Sequence, residues 1–178
     1  SGGFLFLRDP RMFGRVILFE GEGELARFFE RLGIEPLSAD FNYESFRRIL
    51  QGRKGMIKPF LMDQSQICGL GNIYADEALF LSGIHPETRI PALTQEKLRK
   101  LCRSIPEVLK LGIKYGGTSF RDYRNAQGGL GSFQEKLKVY GRNGLECRKC
   151  RSILEKIQVG GRSSHYCPAC QRKAPDRD

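Results

Sequence analysis

Four cysteines constrain this chain more than any other feature. Cys147 and Cys150 form one C-x2-C pair, Cys167 and Cys170 another, with sixteen residues between the pairs. A two-residue gap lets both sulfurs of a pair turn toward one point. Two such pairs supply the tetrahedral sulfur set that Zn2+ prefers, at about 2.3 Å. The competing reading is two disulfides. No signal peptide is visible, and intracellular thiols stay reduced, so the metal reading is favoured. A closed four-ligand site leaves no position for water, so the expected zinc is structural and not catalytic.

The stretch between the pairs reads as a β-hairpin. Ile153, Ile157 and Val159 carry apolar bulk, Gly160-Gly161 supply the turn, and Ser163 to Tyr166 run back to Cys167. Two adjacent glycines suit a two-residue turn with positive φ. Arg162 follows the turn directly. From the residues alone it is either a solvated turn arginine or a cation held out to meet a ligand.

The net charge is +10. Residues 134–178 hold eleven Lys/Arg and five Asp/Glu, a formal +6, whereas residues 1–133 hold nineteen and fifteen, giving +4. A basic module around a metal points to a polyanion, with nucleic acid first. No apolar run approaches the ~20 residues that cross a bilayer, so a soluble cytoplasmic protein is expected. Cys68 and Cys102 sit in apolar patterns and read as ordinary core thiols.

Taken in order, the chain opens with two apolar runs, Phe4 to Leu7 and Val16 to Phe19, around a turn containing Pro10 and Gly14. Both runs are apolar on both faces and need cover on two sides, so the hairpin reads as a remnant of a larger N-terminal sheet. Leu25, Phe28, Phe29 and Leu32 follow helical spacing, with Gly33 expected to stop that helix. Asp40 or Asn42 is expected to cap a helix with Phe46, Ile49 and Leu50, ending near Gly52. Ile57, Phe60 and Leu61 mark a short helix with Pro59 in its first turn. Gly69-Leu70-Gly71 then opens a central helix, with Asn72 expected as N-cap and Gly83 as stop. Amides exposed at such a start suit phosphate, although glycine turns before helices are common. Thr94 is expected to cap the longest helix, with Leu98, Leu101, Cys102, Ile105, Val108, Leu109 and Ile113 as its apolar stripe and Pro106 inside it. Residues 118–132 form a polar loop long enough to be either functional or disordered, and Leu137 and Val139 read as a short strand.

Several motifs together resemble the formamidopyrimidine-DNA glycosylases. They are Lys58-Pro59-Phe60-Leu61-Met62-Asp63-Gln64, Gly69 through Glu77, Phe133-Gln134, Val139-Tyr140-Gly141-Arg142, and Gly161-Arg162-Ser163-Ser164 ahead of the second cysteine pair. The resemblance covers essentially the whole chain. It implies an α+β, mostly α, architecture: a helix-two-turn-helix domain followed by a four-cysteine zinc β-hairpin, with a remnant β-hairpin of an N-terminal sheet. The implied division is 1–20 for the remnant strands, 21–133 for the helical DNA-binding domain and 134–178 for the zinc domain. The implied activity is excision of oxidised purines, 8-oxoguanine and formamidopyrimidines, followed by β,δ-elimination, with the damaged nucleotide flipped out of the duplex. Lys58, Asn72, Arg142 and Arg162 are implied to meet DNA phosphates. Arg11 and Phe13 are implied to fill the gap left by the base, and Met12 stands where the family more usually has a second arginine. Thr118, Ser119, Arg121 and Tyr123 belong to the implied loop over the lesion.

The family's nucleophile is an N-terminal proline amine beside a glutamate. This chain begins Ser1-Gly2-Gly3, so no catalytic residue is assigned within it. The expectation is a monomeric, bacterial, nucleoid-associated DNA-binding portion that binds double-stranded DNA at an oxidised base or abasic site without cleaving it. The competing readings are an endonuclease VIII-like glycosylase for oxidised pyrimidines and a non-enzymatic zinc-ribbon module for nucleic acid. The long loop and Phe133-Gln134 favour the purine-specific branch.

Overall fold

The computed structural model describes residues 3–4, 7, 14–118 and 131–173. Arg11, Phe13, Ser119, Arg121 and Tyr123 lie outside the described residues. The chain divides into two compact units, Ser1–Arg31 and Leu32–Asp178.

The first unit contains helix α1, Glu22–Phe29. Glu22 and Glu24 in its first turn and Arg27 in its last complement the helix dipole. The Phe19 and Phe28 rings stand 5.4 Å apart, yet none of α1 is buried. The helix ends at Phe29, before Leu32 and Gly33, so Gly33 is not its stop. None of the described residues between 3 and 19 belongs to a strand. The expected remnant hairpin is therefore not formed at Val16 to Phe19. A continuous apolar run supplies a surface, whereas a strand is defined by its backbone pairing as well.

The second unit is built around α4, Asn72–Ser82, which is buried almost continuously from Ala75 to Phe80. One side of α4 lies against α5, Gln95–Lys114, and another meets the zinc-end hairpin. Helix α2, Tyr43–Leu50, also packs against α5, and all three helices share one core. Asn42 caps α2, accepting bonds from the amides of Glu44 and Ser45, while the Ser45 hydroxyl lies 3.0 Å from the Asn42 amide. Thr94 caps α5 through the Lys97 amide, as its sequence position predicts. The core draws on Phe46, Ile57, Leu61, Leu79, Leu101 and Ile105. Ile113, assigned to the apolar stripe, is instead exposed, while the adjacent Gly112 is buried against the Tyr74 ring, so the packed face passes through Gly112 at this turn.

Gly33 has another role. Its amide donates to the Gln64 carbonyl at 2.8 Å, and a Cβ at this position would come within 2.2 Å of the Gln66 backbone. It allows the segment entering the second unit to lie backbone to backbone along the turn between α3, Ile57–Leu61, and α4.

The hairpin has the expected form. Strand β1, Glu155–Val159, pairs antiparallel with β2, Arg162–Tyr166, with Val159 opposite Arg162. Gly160 and Gly161 have φ of 57° and 73°, the positive pair that a two-residue turn requires. The strand expected at Leu137 to Val139 is absent. A 3-10 turn covers Phe133–Lys136, and the amides that follow are taken by a carboxylate from α4.

His85 illustrates how burial sets protonation here. Its ring packs edge-on to Tyr166 at 4.5 Å, and its Nδ1 accepts the Glu87 amide at 3.2 Å, which requires an unprotonated Nδ1. Burial pushes its pKa below the ordinary 6.5, with Glu87 and Glu155 opposing and Lys173 assisting. The unfolded chain therefore takes up this proton first, and stability falls as pH drops through 6.5 toward the folded pKa. Urea melts between about pH 7.5 and 5.5 should show that loss, and His85→Gln should flatten it. An equal slope in the variant would exclude His85 as its source.

Candidate nucleic-acid interface and metal centre

The site is assembled at the start of α4. The Gln64 side chain braces the preceding turn: its Oε1 accepts the Gly69 amide at 2.8 Å and its Nε2 donates to the Leu70 carbonyl at 3.1 Å. The N-cap is Gly71, not Asn72, and it makes no side-chain cap bond. The N-cap residue of α4 thus supplies no side-chain cap, at the positive end of an 11-residue helix.

Asn72 is free to do something else. Its Nδ2 donates to the Ser163 carbonyl at 3.0 Å, across 91 residues of sequence. Lys58 donates to the same carbonyl at 2.9 Å and to the Ser164 hydroxyl at 2.6 Å. Its third partner is Asp76, at 2.6 Å, with both side chains fully buried. The ammonium is thus enclosed by two hydrogen-bond acceptors and one ion-pair partner. Lys58, expected to meet a phosphate, is fully buried in this structure. Desolvation lowers its pKa, and Asp76 opposes that shift. The other Asp76 oxygen accepts the His165 amide at 2.8 Å. Strand β2 is therefore stitched to α3 and α4 through Ser163, Ser164 and His165. The turn is held as well, since a Cβ on Gly160 would come within 2.8 Å of the Pro59 ring.

Arg162 is the next residue after the pinned turn, and it is exposed. Its neighbour Ser163 is fixed to Asn72, so Arg162 stands beside the start of α4. Arg142 is different: its Nη1 donates to the Lys138 carbonyl at 2.8 Å and its Nη2 to the Glu146 carbonyl at 3.2 Å. It is half-buried and braces the chain entering the first cysteine pair. Thr118 pairs with Ser132 across the stems of the polar loop, and the Phe133 amide reaches the Gly117 carbonyl at 3.1 Å. The loop residues Ser119, Arg121 and Tyr123 lie outside the described residues.

The four cysteine sulfurs lie within 4.8 Å of one another. The amides of Lys149 and Cys170 point at the Cys147 and Cys167 sulfurs at 3.4 Å, favouring thiolate. Bonds from Ser152 pull the Cys150 thiol down to about 6, while burial pushes Cys167 and Cys170 up. This donor set fits one structural zinc ion. Cys147 and Cys167 pack with Phe80, Val139 and Leu154, so the metal end of the hairpin rests on the C-terminal half of α4.

Two residues that carry much of this geometry were not singled out by their sequence pattern. Glu77, in α4, accepts the amides of Lys138, Val139 and Tyr140 at 2.9–3.0 Å. Burial pushes its pKa up, and those three amides pull it back. Gln171 bridges the Cys167 amide and the Ile84 carbonyl at 2.9 and 2.8 Å. A carboxylate following apolar residues inside a buried helix is the one sequence signal that marks Asp76 and Glu77, because such a group must find partners.

Asp76→Ala would leave the Lys58 ammonium buried and unpaired, at a cost of about 3–5 kcal/mol. Denaturant melts should show this, and Lys58→Met with Asp76→Leu together should recover most of it. Metal removal by a strong chelator, or Cys150→Ser, should disorder residues 145–172; amide dispersion that survives complete removal would contradict a structural zinc.

Comparison with known proteins bears on this geometry. The family description "Formamidopyrimidine-DNA glycosylase H2TH domain" matches residues 32–124, and "Zinc finger found in FPG and IleRS" matches residues 144–172. A formamidopyrimidine-DNA glycosylase of Syntrophomonas wolfei is 46% identical over 168 residues, covering 94% of this chain and 62% of the relative. That of Desulfitobacterium hafniense is 47% identical over 172 residues, covering 96% and 63%. The chain therefore spans less than two thirds of the length of these relatives. Among solved structures, the MutM (Fpg) protein of Thermus thermophilus superposes with a TM-score of 0.84 at 41% identity, covering 94% of this chain and 64% of that one. The Lactococcus lactis Fpg complex with abasic-site DNA gives 0.79 at 41%, covering 85% and 56%. With the helix-two-turn-helix matched over more than half its length and the zinc finger following in order, this chain belongs to the formamidopyrimidine-DNA glycosylase H2TH domain family.

Proposed function

We propose that this chain is the damaged-DNA-binding part of a base-excision DNA glycosylase and AP lyase that removes oxidised purines, 8-oxoguanine and formamidopyrimidines, and nicks by β,δ-elimination. The observation that carries this reading is the shared Ser163 carbonyl. Lys58 and Asn72 both donate to it, so the exposed Arg162 and the uncapped start of α4 are held as one cationic end. Solved relatives support the substrate class, since Lactococcus lactis Fpg is bound to Fapy-dG DNA in one structure and to abasic-site DNA in another.

In this proposal Arg162, Asn72 and the first-turn amides of α4 meet the backbone phosphates beside the lesion. Lys58 and Arg142 act from beneath, as positioning residues. Thr118, Ser119, Arg121 and Tyr123 close over the extruded base, and Arg11 and Phe13 occupy the gap it leaves. The zinc fixes the base of the hairpin and makes no bond to substrate. Chemistry at the sugar is assigned to the part of the relatives that this chain does not span. The three-part division at residues 20 and 133, a monomeric state and association with the nucleoid belong to the same proposal.

The 178-residue chain should bind a duplex carrying an abasic-site analogue, with affinity falling by a log–log slope of roughly 0.9 per neutralised phosphate as salt rises. Arg162→Ala should weaken binding about tenfold and reduce the slope by about one. Affinity indifferent to salt would sink the phosphate reading. Borohydride trapping on an 8-oxoguanine duplex should give no cross-link with these residues alone, and efficient trapping would relocate the nucleophile into this chain.

A further inference from the structure

A second basic feature lies at the other end of α4. A cleft of about 370 Å³ is lined by Phe80, Leu81, Lys136, Lys138, Arg148 and Lys149. Among the described residues its walls hold four cations and no carboxylate. Like charges gathered this closely repel, so their natural complement is an anionic partner. The two walls are rigid for separate reasons. Arg148 and Lys149 are the two residues between Cys147 and Cys150, so the zinc site fixes their backbone. Lys136 closes a 3-10 turn with its ammonium 5.1 Å from the centre of the Tyr115 ring, and the Lys138 amide is held by Glu77. The floor is apolar, made by Phe80 and the half-buried Leu81.

The cleft is remote from the proposed phosphate site. Asn72 opens α4 and Phe80 lies eight residues along it, roughly 12 Å at about 1.5 Å per residue. The hairpin repeats this polarity, with Ser163 beside Asn72 and Cys147 and Cys167 packed with Phe80. The shape also argues against nucleic acid. Phe80 is 7% exposed, so the accessible floor is mostly the aliphatic Leu81, which offers no aromatic face for stacking the bases of a single strand. A concave pocket with an apolar floor instead takes one hydrophobic side chain, flanked by acidic neighbours that reach the rim. We propose that this cleft docks an acidic peptide segment of a partner protein, one apolar side chain lying over Phe80 and Leu81 and carboxylates meeting Lys136, Lys138, Arg148 and Lys149.

The test is fluorescence anisotropy with the full 178-residue chain and a labelled ten-residue peptide of Asp and Glu around one central Leu. Saturable binding is expected, weakened at least tenfold by Lys138→Glu with Lys149→Glu and severalfold when the peptide's Leu becomes Gly. An abasic duplex at saturating concentration should leave the peptide bound. Unchanged peptide affinity in the folded double variant overturns the proposal. So does a result in which Leu→Gly has no effect while a twelve-nucleotide thymidine strand displaces the peptide, because the cleft would then be a nucleic-acid surface. Should the double variant lose its zinc, Lys136→Gln with Arg148→Gln is the substitute, and peptide affinity that survives in that folded variant equally overturns the proposal.

Discussion

A buried charge holds this structure together. Lys58 and Asp76 are removed from water as a pair, which costs least when neighbouring groups hydrogen-bond to both. Lys58 takes the Ser163 carbonyl and the Ser164 hydroxyl, and Asp76 takes the His165 amide. The partners come from three consecutive residues of β2. The demand for satisfaction thus fixes one strand of a distant hairpin against two helices, in one register. A purely apolar contact would permit sliding, whereas these directional bonds do not.

The same principle recurs at the opposite end. The Glu77 carboxylate takes three consecutive amides of residues 138–140. Asp76 and Glu77 are adjacent in sequence, yet one gathers β2 and the other gathers the segment leading to the first cysteine pair. Between them they bring both flanks of the zinc module onto α4. The metal then closes a hairpin whose tip and base are both already tied down. Such a module carries the exposed Arg162 on a backbone that is already held in place, although its side chain remains in solvent.

Much of this was legible in the sequence. The C-x2-C pairs, the Gly160-Gly161 turn, the Asn42 and Thr94 caps and the Gly83 stop are local features. Each depends on residues within a few positions, whose conformational preferences hold in most contexts. The family motifs added the helix-two-turn-helix. The misplacements have a common cause. Asn72 has the chemistry of an N-cap, but the Ser163 carbonyl offers its amide a partner 91 positions away, and Gly71 takes the cap. Leu137 and Val139 alternate like a strand, but Glu77 takes the amides that a strand partner would have used. Gly33 has the look of a helix stop, while its actual constraint is the Gln66 backbone.

The sequence by itself determined that the chain holds a four-cysteine metal site on a basic hairpin behind a set of capped helices. Spacing, turn chemistry and charge are properties of short stretches, and they survive without knowledge of the rest. Only the tertiary structure decided which cations face solvent. Lys58 and Arg162 are both basic residues in family motifs, and nothing local separates them. Lys58 is enclosed because Asp76, Ser163 and Ser164 supply three acceptors around its ammonium, and Arg162 is left outside because the turn before it is pinned. Burial is set by what the rest of the chain brings alongside, and that partnership spans more than a hundred residues.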